Sequence, residues 1–160
     1  MWNMANSRKL TKAQSSLELL ITVSFGLIIL LPIVVIAFIQ VSTSTSNIAV
    51  SEAQAVAAKL AAVAANVGSQ GYPAKQLVLI QVPPDVAEID VGTPTNSIGH
   101  AITFVVDTNA GPSDAVAYTP VNVSGAMANA INQGTYLINV SAQTACPSAA
   151  SYPCVYITTT

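Results

Sequence analysis

Cys146 and Cys154 are the two cysteines of the chain. Seven residues lie between them, Pro147 and Pro153 included. A disulfide closing that loop is sterically reasonable if the chain turns back on itself, with free thiols as the alternative. Two cysteines and the single histidine, His100, are too few for a structural zinc site. Asp85, Glu88 and Asp90 form a local acidic group, but their spacing supplies no calcium loop, and they read as a solvated face. Ser15, Ser16 and Ser24 have no His or Lys partner placed to activate a nucleophile. No glycine-rich phosphate loop and no paired CxxC occurs. The chain reads as a non-enzyme without a cofactor or resident metal.

Glu18 is the remaining residue with chemistry to explain. It stands at the edge of a run, residues 19–41, that is nearly all apolar, and no charge recurs before Glu52. Twenty-three residues of helix reach about 35 Å, against about 30 Å of bilayer hydrocarbon. A carboxylate inside lipid costs roughly 2.5–3.5 kcal/mol at the bilayer centre. Near a helix N-terminus it is favoured by the macrodipole. Arg8, Lys9 and Lys12 precede the run and are three of the five basic residues of the chain. The positive-inside rule keeps them cytoplasmic and places the C-terminal part outside. Without residues 1–13, two lysines against seven acids leave a net charge of −5, which argues against nucleic acid as a partner. Charged residues are 8% of the chain, and an ordinary soluble domain carries roughly 25%. That composition points to a membrane, an assembly or an exterior surface.

The elements that position these residues fall in order. Pro32 interrupts the apolar run and is expected to loosen it. Residues 42–46, STSTS, read as a polar break, either a linker or a tolerated polar turn of a continuing helix. Residues 48–67 read as a second, alanine-rich helix, with Ile48, Ala49, Ala55, Val56, Leu60, Val63 and Val67 near one face. Gly68 and Gly71-Tyr72-Pro73 stop it. From there the pattern alternates. Strands are predicted at 76–82, 86–91, 101–107, 115–123, 135–141 and 154–159, separated by Pro- and Gly-rich turns. Residues 126–132 read as a helical turn or a loop. The fold class is α+β: a long N-terminal hydrophobic helix followed by a small antiparallel, β-sandwich-like head.

The stretch from Arg8 to Glu18, followed by the apolar run, resembles the class III signal peptide of archaeal type IV pilin-like proteins. Gln14, Ser16 and Glu18 match the Gln-x-Ser-x-Glu pattern of that family, and Ala13 stands where many members have Gly. The resemblance covers residues 8–41, and the rest only in general layout. It implies a leader at 1–13 cut by a prepilin peptidase between Ala13 and Gln14, with Arg8, Lys9, Lys12, Gln14, Ser16 and Glu18 recognised. An ordinary secretory signal loses its apolar segment; here the helix stays. Residues 14–70 are then the N-terminal helix, apolar over 17–41 and alanine-rich over 48–67, and residues 71–160 the extracellular head. The implied partners are the membrane, further copies of the chain, the peptidase, an assembly ATPase and a platform membrane protein. The implied role of Glu18 is to pair with the Gln14 amine of a neighbouring copy.

The reading is therefore a subunit of a surface filament used for attachment, outside the cell after processing. Its rivals are an archaellin of a motility filament, a minor pilin or pseudopilin, and a membrane-anchored binding domain that never polymerises. Asn122-Val123-Ser124 and Asn139-Val140-Ser141 are N-glycosylation sequons on the side expected to be extracellular.

Overall fold

The computed structural model describes residues 4–95, 97–147 and 152–160, with side chains from Ser16 onward. The chain divides into two compact units, Met1–Thr43 and Ser44–Thr160. One helix, α1 (Met4–Gln70), contributes to both. The side chains of Arg8, Lys9, Lys12, Ala13 and Gln14 lie outside the described residues.

In the first unit the side chains from Leu17 to Val41 project outward. Phe25 is 66% exposed, Ile28 68% and Phe38 76%. Pro32 lies within the helix and cannot donate to the carbonyl of Ile28. Of the two readings of 42–46, the continuing helix is the one observed: these residues are helical. Short hydroxyl side chains satisfy themselves on the preceding turn, so the helix need not open to hydrate them. Thr43 Oγ1 donates to the Ile39 carbonyl at 3.0 Å, and Ser51 Oγ to that of Ile48 at 2.9 Å.

In the second unit α1 lies against a sheet. Its buried stripe is Ala49, Ala53, Ala57, Leu60, Ala61, Ala64 and Val67. This corrects the face read from the sequence. Ile48 is 55% exposed, Ala55 is exposed, and Val56 and Val63 sit on the flank. Large side chains come from the sheet instead, Ile80, Ile102, Phe104, Ile138 and Ile157 among them. Short residues on one layer opposite long ones on the other fill the core to normal density. The helix ends where Gly71 adopts φ 70° and donates to the carbonyls of Val67 and Gly68, each at 3.2 Å. A left-handed residue after the last turn is the favoured helix stop, and glycine adopts it freely. Gly68 remains inside the helix, where a Cβ would lie 2.7 Å from Val121 Cγ1.

Six strands follow: β1 (Lys75–Val82), β2 (Val86–Val91), β3 (Gly99–Thr108), β4 (Gly111–Ala126), β5 (Gly134–Gln143) and β6 (Cys154–Thr159). Between β4 and β5 a short 3-10 turn spans Ala128–Ala130. All six strands form one sheet in the order β1-β5-β6-β4-β3-β2. Neighbours are antiparallel except β4 and β6, which pair in parallel from Val123↔Val155 to Ala126↔Thr158. The α+β class and the long apolar helix are as expected. The head differs from a two-sheet sandwich because the second layer over the inner face is the alanine stripe of α1. The inner row alternates as a half-buried sheet should, with Val78, Ile80 and Val82 in and Leu77 and Leu79 out.

Candidate functional site

Two regions carry the residues singled out by the sequence. The first is the outer surface of α1. From Ser16 the helix is long and apolar enough to cross a membrane. Glu18 is exposed at its edge, and its carbonyl accepts the Thr22 hydroxyl at 2.8 Å. Ser16, one half-turn earlier, is also exposed. The large apolar side chains between Leu17 and Val41 are exposed as well.

The second region is the head. Cys146 and Cys154 form a disulfide with a Cα–Cα distance of 5.5 Å, which ties the start of β6 to the segment after β5. Both sequons lie inside strands rather than at loop tips. Asn122 is half-buried on β4, and its amide donates to the Pro153 carbonyl at 3.5 Å, while Ser124 is buried. Asn139 is half-buried on β5, with its Oδ1 buried and unpartnered.

The acidic group divides. Asp85 and Glu88 are exposed, as a solvated face requires. Asp90 is not: it is 7% exposed, and its Oδ1 has no hydrogen-bond partner. Burial raises the pKa of its carboxyl above the ordinary value of 3.8, and repulsion and hydrogen bonding from Glu88 and repulsion from Asp114 push the same way. Among the described residues no group of three or more His, Cys, Asp or Glu is placed to hold a metal ion.

His100 is exposed at the start of β3 and borders a cleft of about 360 Å³. Tyr72, Asn122, Gln143, Thr144 and Pro153 share its walls. A second cleft of about 370 Å³ shares Tyr72, Gln143 and Thr144 with the first and takes in Lys75 and Ser141. The sequence reading used Tyr72 only as part of a turn. A tyrosine flanked by Gly71 and Pro73 is held clear of regular structure, which is the one signal that marked it.

The chain matches no protein-family model, no curated protein and no solved structure.

Proposed function

We propose that the chain is the precursor of a structural subunit of an archaeal type IV pilus-like filament, which serves surface attachment. One observation carries this reading. The helical run from Leu17 to Val41 presents large, exposed apolar side chains around its surface. Fully burying one such side chain is worth roughly 1.5–3 kcal/mol relative to water. A surface of this kind belongs in lipid first and against copies of itself afterwards.

Glu18 supports the same reading. An exposed carboxylate at the edge of an otherwise uncharged helical run is available to the free amine that cleavage before Gln14 creates on a neighbouring copy. The helix continues without a break into the head. Assembly draws subunits out of lipid, where apolar contact is already satisfied, so it requires work from an ATPase and a platform protein. The protein is not an enzyme in this reading.

The test is N-terminal mass analysis of protein sheared from cells, with electron microscopy of the same fraction. A chain beginning at Gln14 in thin filaments supports processing and polymerisation together. A Met1 start in the membrane fraction without filaments overturns the proposal and leaves an anchored binding domain. Filaments whose loss abolishes swimming but not attachment assign the subunit to a motility filament.

A further inference from the structure

One end of the head carries two clefts that share a wall. Hydrogen bonds order the head along α1. Asn109 Nδ2 donates to Ser46 Oγ at 3.2 Å, Gln54 Nε2 to the Val116 carbonyl at 2.9 Å, and Lys59 Nζ to the Leu79 carbonyl at 2.7 Å. Gly68 then abuts Val121. The clefts around Gly68, Tyr72 and Gln143 therefore lie at the end of the head opposite Ser46, near which the chain enters it. Tyr72 is 69% exposed and borders both clefts, as do Gln143 and Thr144.

We propose that the two clefts are adjoining subsites for an extended oligosaccharide, with one sugar ring in each cleft and an acidic sugar in the one that Lys75 lines. The inference rests on the attachment role proposed above and gives that role a ligand class. Each cleft lies in the size range of small-molecule sites. The first carries no Lys, Arg, Asp or Glu on its described walls, and His100 is its one titratable side chain besides the Tyr72 phenol, so it holds no fixed charge to compensate an ionic ligand. It offers the amides of Asn122 and Gln143 and the hydroxyl of Thr144, groups that both donate and accept. A ligand rich in hydroxyls needs that mixture. The Tyr72 ring and Pro153 add apolar surface for the C–H face of a sugar, and the phenol adds a polar tip.

The second cleft differs by one charge. Between Ser44 and Thr160 the basic side chains are Lys59 and Lys75. Lys59 is engaged with Leu79, and Lys75 lines the cleft. The acids Glu88, Asp90, Asp107 and Asp114 belong to β2, β3 and β4, while Lys75 opens β1 at the opposite edge of the sheet. A carboxylate therefore meets Lys75 with the acidic strands remote in the sheet order. A lone ammonium suits one carboxylate on a neutral chain better than a polyanion, which would demand a cluster.

The experiment uses the full chain in detergent micelles, so it needs no filament. Its probes are immobilised neutral hexose oligosaccharides, the same backbones carrying a hexuronic acid, and a poly-glutamate peptide. The uronate-bearing sugars are expected to bind best. Tyr72→Ala should weaken them at least ten-fold and Tyr72→Phe should largely keep them. Lys75→Gln should abolish the preference for uronate over neutral backbone. Tyr72 and Lys75 are exposed, and an unchanged melting temperature verifies that the variants fold. No binding by the wild-type chain, indifference to Tyr72→Ala, or equal binding of poly-glutamate overturns the inference. Any of these leaves the filament reading standing, and absence of filaments in cells leaves the micelle result standing.

Discussion

Lys59 on α1 holds the main-chain carbonyl of Leu79 on β1 at 2.7 Å. Leu79 lies opposite Leu137 on β5, whose carbonyl accepts the Thr160 N–H at 3.1 Å and so turns away from β1. In an antiparallel ladder that makes Leu79 and Leu137 a pair without mutual hydrogen bonds, and the Leu79 carbonyl faces the free edge of the sheet. β1 is an edge strand, and an unpaired edge invites pairing with other chains. The ammonium blocks one of its acceptors.

Lys59→Ala should therefore cost about 1 kcal/mol of head stability, because the hydrogen bond is charged but exposed. It should also raise the tendency of the unfilamented protein to associate through β1. Chemical denaturation and light scattering of the micelle-held chain check the two effects. No change in either would mean that the edge is protected by other means.

Asp90 supplies a pH dependence. A carboxyl whose folded pKa is raised holds its proton more tightly in the folded head than in the unfolded chain. Its stabilising contribution is complete below the ordinary value of 3.8 and is lost as pH rises through the elevated folded value. Asp90→Asn keeps the shape and removes the buried charge. The variant should match the wild type in acid and melt a few degrees higher at neutral pH. A wild-type-minus-variant difference that is flat with pH would show that Asp90 carries no such linkage.

The alanine stripe should resist enlargement. Ala53 and Ala57 are fully buried against side chains that already fill the core. Ala57→Leu should destabilise the head by roughly 1–3 kcal/mol through overpacking. Ala58→Leu, one position on and exposed, should be near neutral. Equal melting of the two variants would contradict the packing described.

The Cys146–Cys154 disulfide closes a short loop. Replacing both with serine should lower stability by about 2–3 kcal/mol on the loop-entropy account. Reduction of the wild type should reproduce the loss, which calorimetry in the presence and absence of reductant measures.

Glu18→Gln tests the assembly role. On the proposed filament role, the variant should fail to appear in sheared filaments, and mass analysis of its N-terminus separates a loss of assembly from a loss of cleavage, since Glu18 also belongs to the implied recognition pattern. Normal filaments would reduce Glu18 to an interfacial carboxylate.

Much of this architecture was legible because period and composition write it locally. The apolar run after Glu18 announces a membrane-length helix by length alone. The six strands declare themselves by alternation, and their predicted and observed bounds agree closely for β2 and β6. β4 runs beyond the predicted 115–123 at both ends, because Gly111 and Pro112 already pair with Thr108 and Asp107, and Ser124 to Ala126 continue alongside β6. Sheet order is non-local, so nothing in the sequence placed β6 between β5 and β4. The buried helix face was misread because Ile48 and Val56 look more like core than Ala53 does. Only the shape of the opposing sheet makes the small residue the better fit. Asp90 was misread for a related reason: its burial comes from the folded sheet and leaves no mark in the spacing of the acids. The clefts around Tyr72 unite residues more than seventy positions apart, so no local motif could reveal them.

The placement of β6 sets the order in which the head can be completed. Without it the strands fall into two groups, β1 with β5 and β2 with β3 and β4. Residues 154–159 are the seam that joins these groups, and they leave the ribosome after every other strand. Each half carries an open edge until the seam arrives, and an open edge is a site for mispairing. The head is therefore a clasp that shuts with its final strand. A chain whose residues 154–159 have not yet paired would present two unclosed half-sheets, each with a row of unsatisfied backbone groups.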